Sequence, residues 1–393
     1  MASQAPQRFS TPGEIHERIR RRLAPRFAQL AGFSSTREMQ KSALYRELAV
    51  DIHLALDTIE QGDFRHSAAP ARPAYRFVAW NIERGKQLAG QIEAFRANQY
   101  LRGADVVLVT ESDVGMSRSG NVNVARVLAR ELGFAYAFAP CYLSLVKGSG
   151  LEKRTHGEND LGLHGNAVLS RYPIAHVRTI TLPNGVDKMA GIEKRLGSQK
   201  ALAATIDFPG RPLTAVCEHL DVQATQRHRA AQMGLILDAV ESDPRVVMGG
   251  DWNTNTFKNS RALYAILGYT RRVLMGVENT ISNHFLHPER YFERELFELL
   301  ESRGFDYRGA NRMGEHTVHY AIGDDHSHLS LREWVPGWCI AFIHWALRHH
   351  GGRCPMKLDW FATRGVSARN PVVVHELREL SDHDPIGVDI AAS

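Results

Sequence analysis

Polar residues that could perform metal or phosphate chemistry stand at the ends of six apolar runs of the sequence. The clearest run, Arg245–Met248, continues into two glycines and then places Asp251 and Asn253 two residues apart. Glycine lets the backbone turn at that point and lets a ligand approach closely. Taken alone, an Asp or Asn after a strand usually only caps a turn. The other residues in such positions are Asn81, Glu111, His219, Asp359, and Asp382 with His383.

Side chains at equivalent ends of neighbouring strands gather at one edge of a sheet, where α/β enzymes commonly hold their active sites. Carboxylate and amide oxygens suit a hard cation, Mg²⁺ or alternatively Mn²⁺, and the absence of thiolates disfavours a softer metal. A carboxylate fixes the orientation of a neighbouring histidine. We expect Asp359 and His383 to form such a pair. Asp359 as a strand-edge charge and His219 as a hydrogen-bonded core histidine are the structural alternatives.

From Tyr75 onward, the hydrophobic pattern alternates between short apolar runs and helical repeats, which is typical of an α/β fold. The turn Pro209-Gly210 predicts that the strands 200–207 and 213–217 form a pair. Residues 144–161 are polar and glycine-rich and are predicted to form a loop. Helices are predicted at 87–101, 123–132 and 226–240.

Two helices are predicted before the first strand. Thr11-Pro12-Gly13-Glu14 is a capping box, and the helical repeat continues to about residue 33 with a kink near Ala24 imposed by Pro25. A second capping box at Ser35 predicts a helix to about Gly62. The arginines of the first helix suit either phosphate binding or a solvated basic face. An Ala/Pro linker follows at 67–74, so we divide the chain into a helical extension (1–66) and a catalytic domain (75–393).

Composition is that of a globular protein, with 44% hydrophobic and 23% charged residues. The net charge of +5 suits an anionic partner without identifying one. Four dispersed cysteines argue against a disulfide framework and for a reducing compartment. No secretory leader and no transmembrane segment is expected, and we predict a cytoplasmic location.

A long insertion, about 256–355, separates Asn255 from the next clear strand. It contains helical repeats at 291–302 and 338–349 and four histidines that suit either a second metal site or a polar loop over the active-site mouth. Their spacing matches no standard zinc pattern. These histidines are His316, His319, His326 and His328.

The motifs together resemble the endonuclease/exonuclease/phosphatase superfamily over about Tyr75 to Ile390. Trp80-Asn81-Ile82 is similar to its first-strand motif, and Thr110-Glu111 to its metal-binding motif. Residues 165–174 resemble its "G-x-A-x-L-S-R-x-P-I" strand, and Glu218-His219-Leu220 its "T-H-L" motif with Glu in place of Thr. Residues 250–253 match "G-D-x-N", and residues 381–385 match "S-D-H-x-P".

The resemblance implies a four-layer α/β/β/α sandwich of two packed mixed sheets. It also implies roles for individual residues: Glu111 as the main metal ligand, helped by Asn81 and Asp382, and Asp251 as the residue that orients or deprotonates water. Asn253 would hold the phosphate, His383 oriented by Asp359 would stabilise or protonate the transition state, and His219 would contact phosphate or assist the leaving group. Asn166 and Arg195 are the implied substrate contacts. The N-terminal helices and the insertion depart from the family pattern.

These features favour a metal-dependent phosphodiesterase, with a nuclease preferred because of the basic charge. The alternative within this class is a phosphatase or phospholipase-type hydrolase acting on an inositol phosphate, a phospholipid headgroup or a small nucleotide. An inactive binding module is the alternative of another class. A serine hydrolase and a zincin are disfavoured because GxSxG and HExxH are both missing from the sequence. The oligomeric state is left open.

Overall fold

The computed structural model describes residues 11–254, 262–321 and 336–391. Within them, the larger of two central sheets has eight strands in the order β1-β4-β5-β3-β2-β15-β14, with β7 paired to β4. These strands are β1 (Glu60–Asp63), β2 (Ala74–Arg84), β3 (Val106–Val114), β4 (Ala135–Ser144), β5 (Leu163–Ser170), β7 (Arg195–Gly197), β14 (Ala368–Val373) and β15 (Ile386–Ala391).

The second central sheet has the strand order β13-β10-β9-β8-β6 in the described part of the chain. Strand β9 runs parallel to β10. It pairs antiparallel with β8, as the turn at Pro209-Gly210 predicts. Two further strands form a separate antiparallel pair, β11 (Val318–Ala321) with β12 (Arg353–Met356). The strands of the second sheet are β6 (Ile174–Thr181), β8 (Lys200–Ile206), β9 (Leu213–His219), β10 (Val246–Asp251) and β13 (Asp359–Arg364).

Helices cover the outer faces of both sheets. The α-helices are α1 (Pro12–Arg18), α2 (Phe27–Ala31), α3 (Thr36–Lys41), α4 (Ala43–Asp57), α5 (Leu88–Ala97), α6 (Val124–Leu132), α7 (Gln226–Ala239), α8 (Ala262–Leu274), α9 (Val277–Asn279), α10 (Arg294–Ser302) and α11 (Gly337–Ala346). Ile19–Leu23 and Thr280–Phe285 are π-helical, and single 3-10 turns occur at Ala24–Arg26, Leu101–Gly103, Ser117–Ser119, Gly150–Arg154, Lys188–Ala190, Pro288–Arg290, Arg348–His350 and His375–Leu377. None of the described helices is both long and apolar enough to span a bilayer.

Side chains alternate between the two faces of each central strand, which builds three apolar layers. In β2, Phe77 and Ala79 pack between the sheets, whereas Val78 and Trp80 pack outward against the helices. The outer layer of the second sheet is covered by α7 and α10. The predicted four-layer α/β/β/α sandwich is therefore confirmed.

The N-terminal helices pack on the outer face of the first sheet. Ile19, Leu23 and Leu30 are buried in the same apolar cluster as Trp80. Pro25 breaks the first helix, as predicted, because the chain passes through π and 3-10 turns between α1 and α2. Residues 262–346 of the insertion, as far as they are described, contribute to a smaller cluster that includes Ile281, Phe285 and Ile343.

The expectation of one continuous helix from Ser35 to about Gly62 is wrong. Ser42 has an extended backbone, and its hydroxyl accepts a hydrogen bond from the Tyr45 N–H, so one helix ends and α4 begins there. After Asp57 the chain becomes strand β1, which pairs with the edge of β4. Pairing with a sheet edge outweighs the local helical pattern at this point.

Candidate active site

Strand alternation directs four of the predicted residues into the layer between the sheets. Asn81 continues the row of Phe77 and Ala79 in β2, and His219 continues the row of Ala215 and Cys217 in β9. Asp251 and Asp359 belong to the corresponding rows of β10 and β13. The strand register also brings these side chains together, because Asp251 of β10 lies opposite His219 of β9 on one side and opposite Asp359 of β13 on the other.

Glu111 reaches the same layer through a strand irregularity. The regular alternation of β3 would direct it outward, since Val107 and Val109 face the helices. The register of β3 shifts between Val109 and Ser112, and Glu111 adopts a positive φ of 56°. A bulge of this kind re-aims one side chain, and bulges are frequent beside active sites.

Asp251 is at the centre of the cluster and is buried. Its Oδ2 lies 3.3 Å from His219 Nε2 and 3.7 Å from His383 Nε2. Asn81 Nδ2 donates both to this Oδ2 (3.1 Å) and to Glu111 Oε1 (3.2 Å). One amide therefore connects the two carboxylates across the two sheets.

His383 and Asp359 form the pair expected from the sequence, with 2.8 Å between Nδ1 and Oδ2. The same oxygen of Asp359 accepts a 2.7 Å hydrogen bond from the hydroxyl of Thr317. The loop that carries His383 is held to β2, because Trp80 Nε1 donates to the His383 carbonyl and Ser381 Oγ donates to the Asn81 carbonyl.

The charges of the site follow from burial and from its neighbours. Burial lowers the pKa of His219, and burial raises the pKa of Asp251 against the opposing effect of the two histidines. Burial alone would also lower the pKa of His383, but Asp359 and Asp251 raise it well above its ordinary value. The site therefore combines a neutral His219 with a protonated His383.

Glu111 is ionised in this environment. Burial opposes ionisation, but the charge of Arg84, the largest opposing effect, lowers the pKa of Glu111 below its ordinary range. Arg84 Nε is 3.7 Å from Glu111 Oε2, and Arg84 also pairs with the buried Glu152. The carboxylate thus faces the Arg84 guanidinium on one side and the Asn81 amide on the other.

The remaining predicted residues lie around this centre. Asn253 has a left-handed backbone (φ 50°), and its amide donates to the Leu220 carbonyl. Asn166 is buried and donates to the Lys200 carbonyl, and Arg195 stacks on the Tyr142 ring at 4.7 Å. Asp382 is exposed, and its charge adds to burial in raising the pKa of Glu83, with burial as the larger cause. The Asn253 backbone N–H donates to Asp251 Oδ1 at 2.9 Å, whereas the described residues show no hydrogen bond from Asn166, Arg195 or Asp382 to the Asp251 centre.

Three residues of the site escaped the sequence analysis, and one of them is Arg84, which faces Glu111. His164 contacts Asp113 at 2.8 Å and lowers the pKa of Glu111, and Thr317 orients Asp359. The alternation of β5 carries a signal for His164, because it lies two positions before Asn166 on the same face. No local pattern marks Thr317, which lies within the long insertion.

The donor set fits a hard divalent cation. Glu111 and Asp251 each accept a hydrogen bond from the Asn81 side-chain amide, so oxygens of two carboxylates face the same point of the site. Carboxylate and amide oxygens are the ligands that Mg²⁺ and Mn²⁺ prefer. Of the four histidines proposed for a second site, the His319 side chain, His326 and His328 lie outside the described residues.

The layers and the polar cluster together define the class of fold. The protein is an α/β/β/α sandwich with a polar centre at the shared edge of its two sheets. A structure described as an endonuclease/exonuclease/phosphatase from Beutenbergia cavernae DSM 12333 shares this fold, with 16% identity, a TM-score of 0.50, and coverage of 81% of this chain and 72% of its own. The human Nocturnin catalytic domain with bound sulfate aligns at 15% identity and a TM-score of 0.44, covering 85% of this chain and 97% of its own.

The 3′ phosphatase NExo from Neisseria, bound to a product DNA hairpin, aligns at 14% identity and a TM-score of 0.46, covering 81% of this chain and 99% of its own. The comparison with curated proteins gives no match. The model of the Endonuclease/Exonuclease/phosphatase family matches residues 78–383, and the chain belongs to this family. Members of the family are hydrolases that act on phosphoester bonds.

Proposed function

We propose that the chain is a divalent-metal-dependent phosphodiesterase that cleaves its substrate by attack of water. The observation that carries this proposal is the connected series Glu111–Asn81–Asp251–His383–Asp359, in which every link is 3.7 Å or shorter. In this proposal, the series supplies a carboxylate for metal binding, a base and a protonated histidine around one point. Those are the groups that hydrolysis of a phosphate ester requires.

Asp251 is the proposed base. Its raised pKa makes the carboxylate a better proton acceptor than an exposed aspartate, and it lies beside the neutral His219. It orients the attacking water and takes its proton. Asn253 holds the phosphate, and His219 contacts the phosphate or assists departure of the leaving group.

His383 is the proposed acid. Asp359 keeps His383 protonated. The resulting imidazolium stabilises the negative charge that develops on the phosphoryl oxygens, or it protonates the leaving oxygen. Thr317 acts through Asp359 as a positioning residue. Arg195 and Asn166 are proposed substrate contacts.

Glu111 and Asn81, with Asp382 from the exposed side, are the residues proposed to hold Mg²⁺ or Mn²⁺. When bound, such an ion would polarise a phosphoryl oxygen and neutralise charge. Its partners in the protein are the ionised Glu111 and the amide that already lies between two carboxylates.

Hydrolysis of bis-p-nitrophenyl phosphate and of the corresponding monoester, each with Mg²⁺, Mn²⁺ or EDTA, tests the proposal. We expect metal-dependent cleavage of the diester, lowered about 100-fold or more by Asp251→Asn or His383→Ala, in line with the usual contribution of acid–base groups. Asp238→Asn is the matched control, because Asp238 is 60% exposed on α7 and pairs only with Arg303 among the described contacts.

Three outcomes would contradict parts of the proposal. Near-wild-type turnover in folded Asp251→Asn and His383→Ala would overturn the assignment of the site. Cleavage of the monoester alone would favour a phosphatase of inositol phosphates or nucleotides. Inactivity on both esters, and then on DNA, RNA and phospholipid vesicles, would leave an inactive binding module. Among active outcomes we favour a nuclease, because the net charge of +5 suits a polyanion.

A further inference from the structure

A second group of potential metal ligands lies behind the catalytic histidine. It consists of His316, His375 and Asp384, with Glu315 beside them, and we call it the insertion cluster. One potential ligand atom from each of His316, His375 and Asp384 lies within 4.8 Å of the other two. This group is separate from the Asp251 centre and plays no part in the proposed hydrolysis.

The insertion cluster joins three distant parts of the chain. Glu315 and His316 belong to the insertion, His375 begins a 3-10 turn after β14, and Asp384 follows the catalytic His383. The backbones also join here, because the Asp384 N–H donates to the Thr317 carbonyl at 2.7 Å. Val318 forms a β-bridge with His383.

His375 is held on both sides of its ring. Its Nδ1 lies 2.7 Å from Asp384 Oδ2, and its Nε2 lies 2.9 Å from Glu315 Oε1. The His316 ring stacks on the His375 ring with centroids 4.6 Å apart. Asp384 is buried with 1% of its side chain exposed, whereas His375 retains 29% exposure, so an ion could enter from solvent.

We propose that His316, His375 and Asp384 bind Zn²⁺. Two imidazoles and a carboxylate form a donor set that Zn²⁺ accepts readily, whereas the oxygen-rich centre at Glu111 suits Mg²⁺ or Mn²⁺. Glu315 orients His375 through its second ring nitrogen, which is the usual arrangement around a metal-bound histidine. The direct contact between His375 Nδ1 and Asp384 Oδ2 is the one that the ion replaces, and the contact with Glu315 remains.

Such an ion would link the insertion to the loop that carries His383 and Asp384. Thr317 lies between His316 and the β11 strand, and its hydroxyl donates to Asp359, the partner of His383. Fixing His316 and Asp384 to one ion would therefore fix the segment that orients the catalytic pair. The assigned role of the ion is structural, and it does not contact the substrate.

Cobalt serves as a spectroscopic probe for this site, because Co²⁺ replaces Zn²⁺ and absorbs strongly in the visible range only in tetrahedral geometry. The full chain is stripped with a chelator and titrated with Co²⁺. We expect one equivalent of Co²⁺ with the tetrahedral spectrum, which added Zn²⁺ abolishes. His375→Ala, His316→Ala and the isosteric Asp384→Asn should each lose this spectrum.

Two controls separate this site from others. His176→Ala removes an exposed histidine from strand β6 and should keep the spectrum, and Glu111→Ala should keep it as well. Absence of a tetrahedral spectrum in the wild-type chain, or its persistence in folded His375→Ala and Asp384→Asn, would overturn the proposal. Because the readout is metal binding, this outcome is independent of whether the chain hydrolyses phosphodiesters.

Discussion

At the scale of single residues, Glu218 is the most unusual group next to the site. It replaces the Thr of the family motif and is fully buried on the face of β9 opposite His219, where it accepts a 2.6 Å hydrogen bond from Trp252 Nε1. Burial raises the pKa of Glu218 to about 8, so the carboxyl group keeps its proton at neutral pH. A proton bound in the folded state and released in the unfolded state makes stability depend on pH.

We predict that the free energy of unfolding falls as pH rises, because the folded pKa of Glu218 lies above the value of 4.5 expected when it is exposed. The stabilisation is complete below that value, decreases by about 1.4 kcal/mol per pH unit above it, and is lost by about pH 8. Glu218→Gln should remove this contribution. Urea unfolding of both proteins at several pH values measures it.

The control for this prediction is Glu298→Gln on α10, where the side chain is 63% exposed. That variant should follow the wild-type pH dependence. A Glu218→Gln protein with the wild-type slope would show that the carboxyl group is ionised in the folded state, contrary to its burial against Trp252.

The sequence identified most of the polar centre at this scale. Asn81, Glu111, His219, Asp251 and Asp359 were predictable because each stands at one end of an apolar run, and the structure brings them together. Thr317 was not predictable from the sequence, because its role depends on a hydrogen bond to Asp359, which is 42 residues away in the chain. The orientation of Glu111 was also hidden, because it depends on a bulge that no local signal in β3 reveals.

At the scale of elements, the N-terminal helices are the feature whose role the structure defines most clearly. Ile19 is 1% exposed and Leu23 is fully buried, and both pack in the cluster that covers the outer face of the first sheet. Arg18 and Arg22 both bind the buried Asp51 of α4, so the arginines of the first helix form ion pairs within the protein. The helices therefore supply part of the core.

We predict that Ile19→Ala lowers the free energy of unfolding of the whole chain by about 2–5 kcal/mol, the usual cost of truncating a buried aliphatic side chain. Thermal or urea unfolding, followed by circular dichroism and by tryptophan fluorescence, measures the effect. The matched control is Val50→Ala on α4, because Val50 is 65% exposed and its truncation should change stability little. A separate early transition, with the main one unchanged, would instead mark residues 11–66 as an independent unit.

The helix boundaries show where sequence patterns stop being sufficient. The capping box at Thr11 and the break at Pro25 were predictable, because both depend on local chemistry. Strand β1 was not, because Glu60–Asp63 has no alternating pattern and becomes a strand only by pairing with β4. Local propensity was overridden there by a tertiary contact.

At the scale of the whole molecule, net charge is the property that bears on the substrate. If DNA is cleaved, cationic groups that bind its phosphates release counterions, so affinity falls with salt at a slope of about −0.9 for each phosphate neutralised. We predict a steep loss of DNA cleavage at sub-saturating substrate between about 50 and about 200 mM salt. Cleavage of bis-p-nitrophenyl phosphate under the same conditions should change little, and equal sensitivity of both substrates would argue against a nuclease.

The antiparallel register of β10 and β13 has a consequence for how this chain can vary. Asp251 and Asp359 lie directly opposite each other, so the two ends of the intervening segment are fixed side by side by the sheet itself. Closing a loop between fixed ends costs entropy that grows only with the logarithm of its length, about 0.6 kcal/mol for each doubling. Apart from α10 and the residues that follow it, which pack on the second sheet, and the short stretch around Thr317, the segment can lengthen, shorten or be exchanged at little thermodynamic cost. Those parts of the insertion can therefore change while Asp251 and Asp359 stay in register.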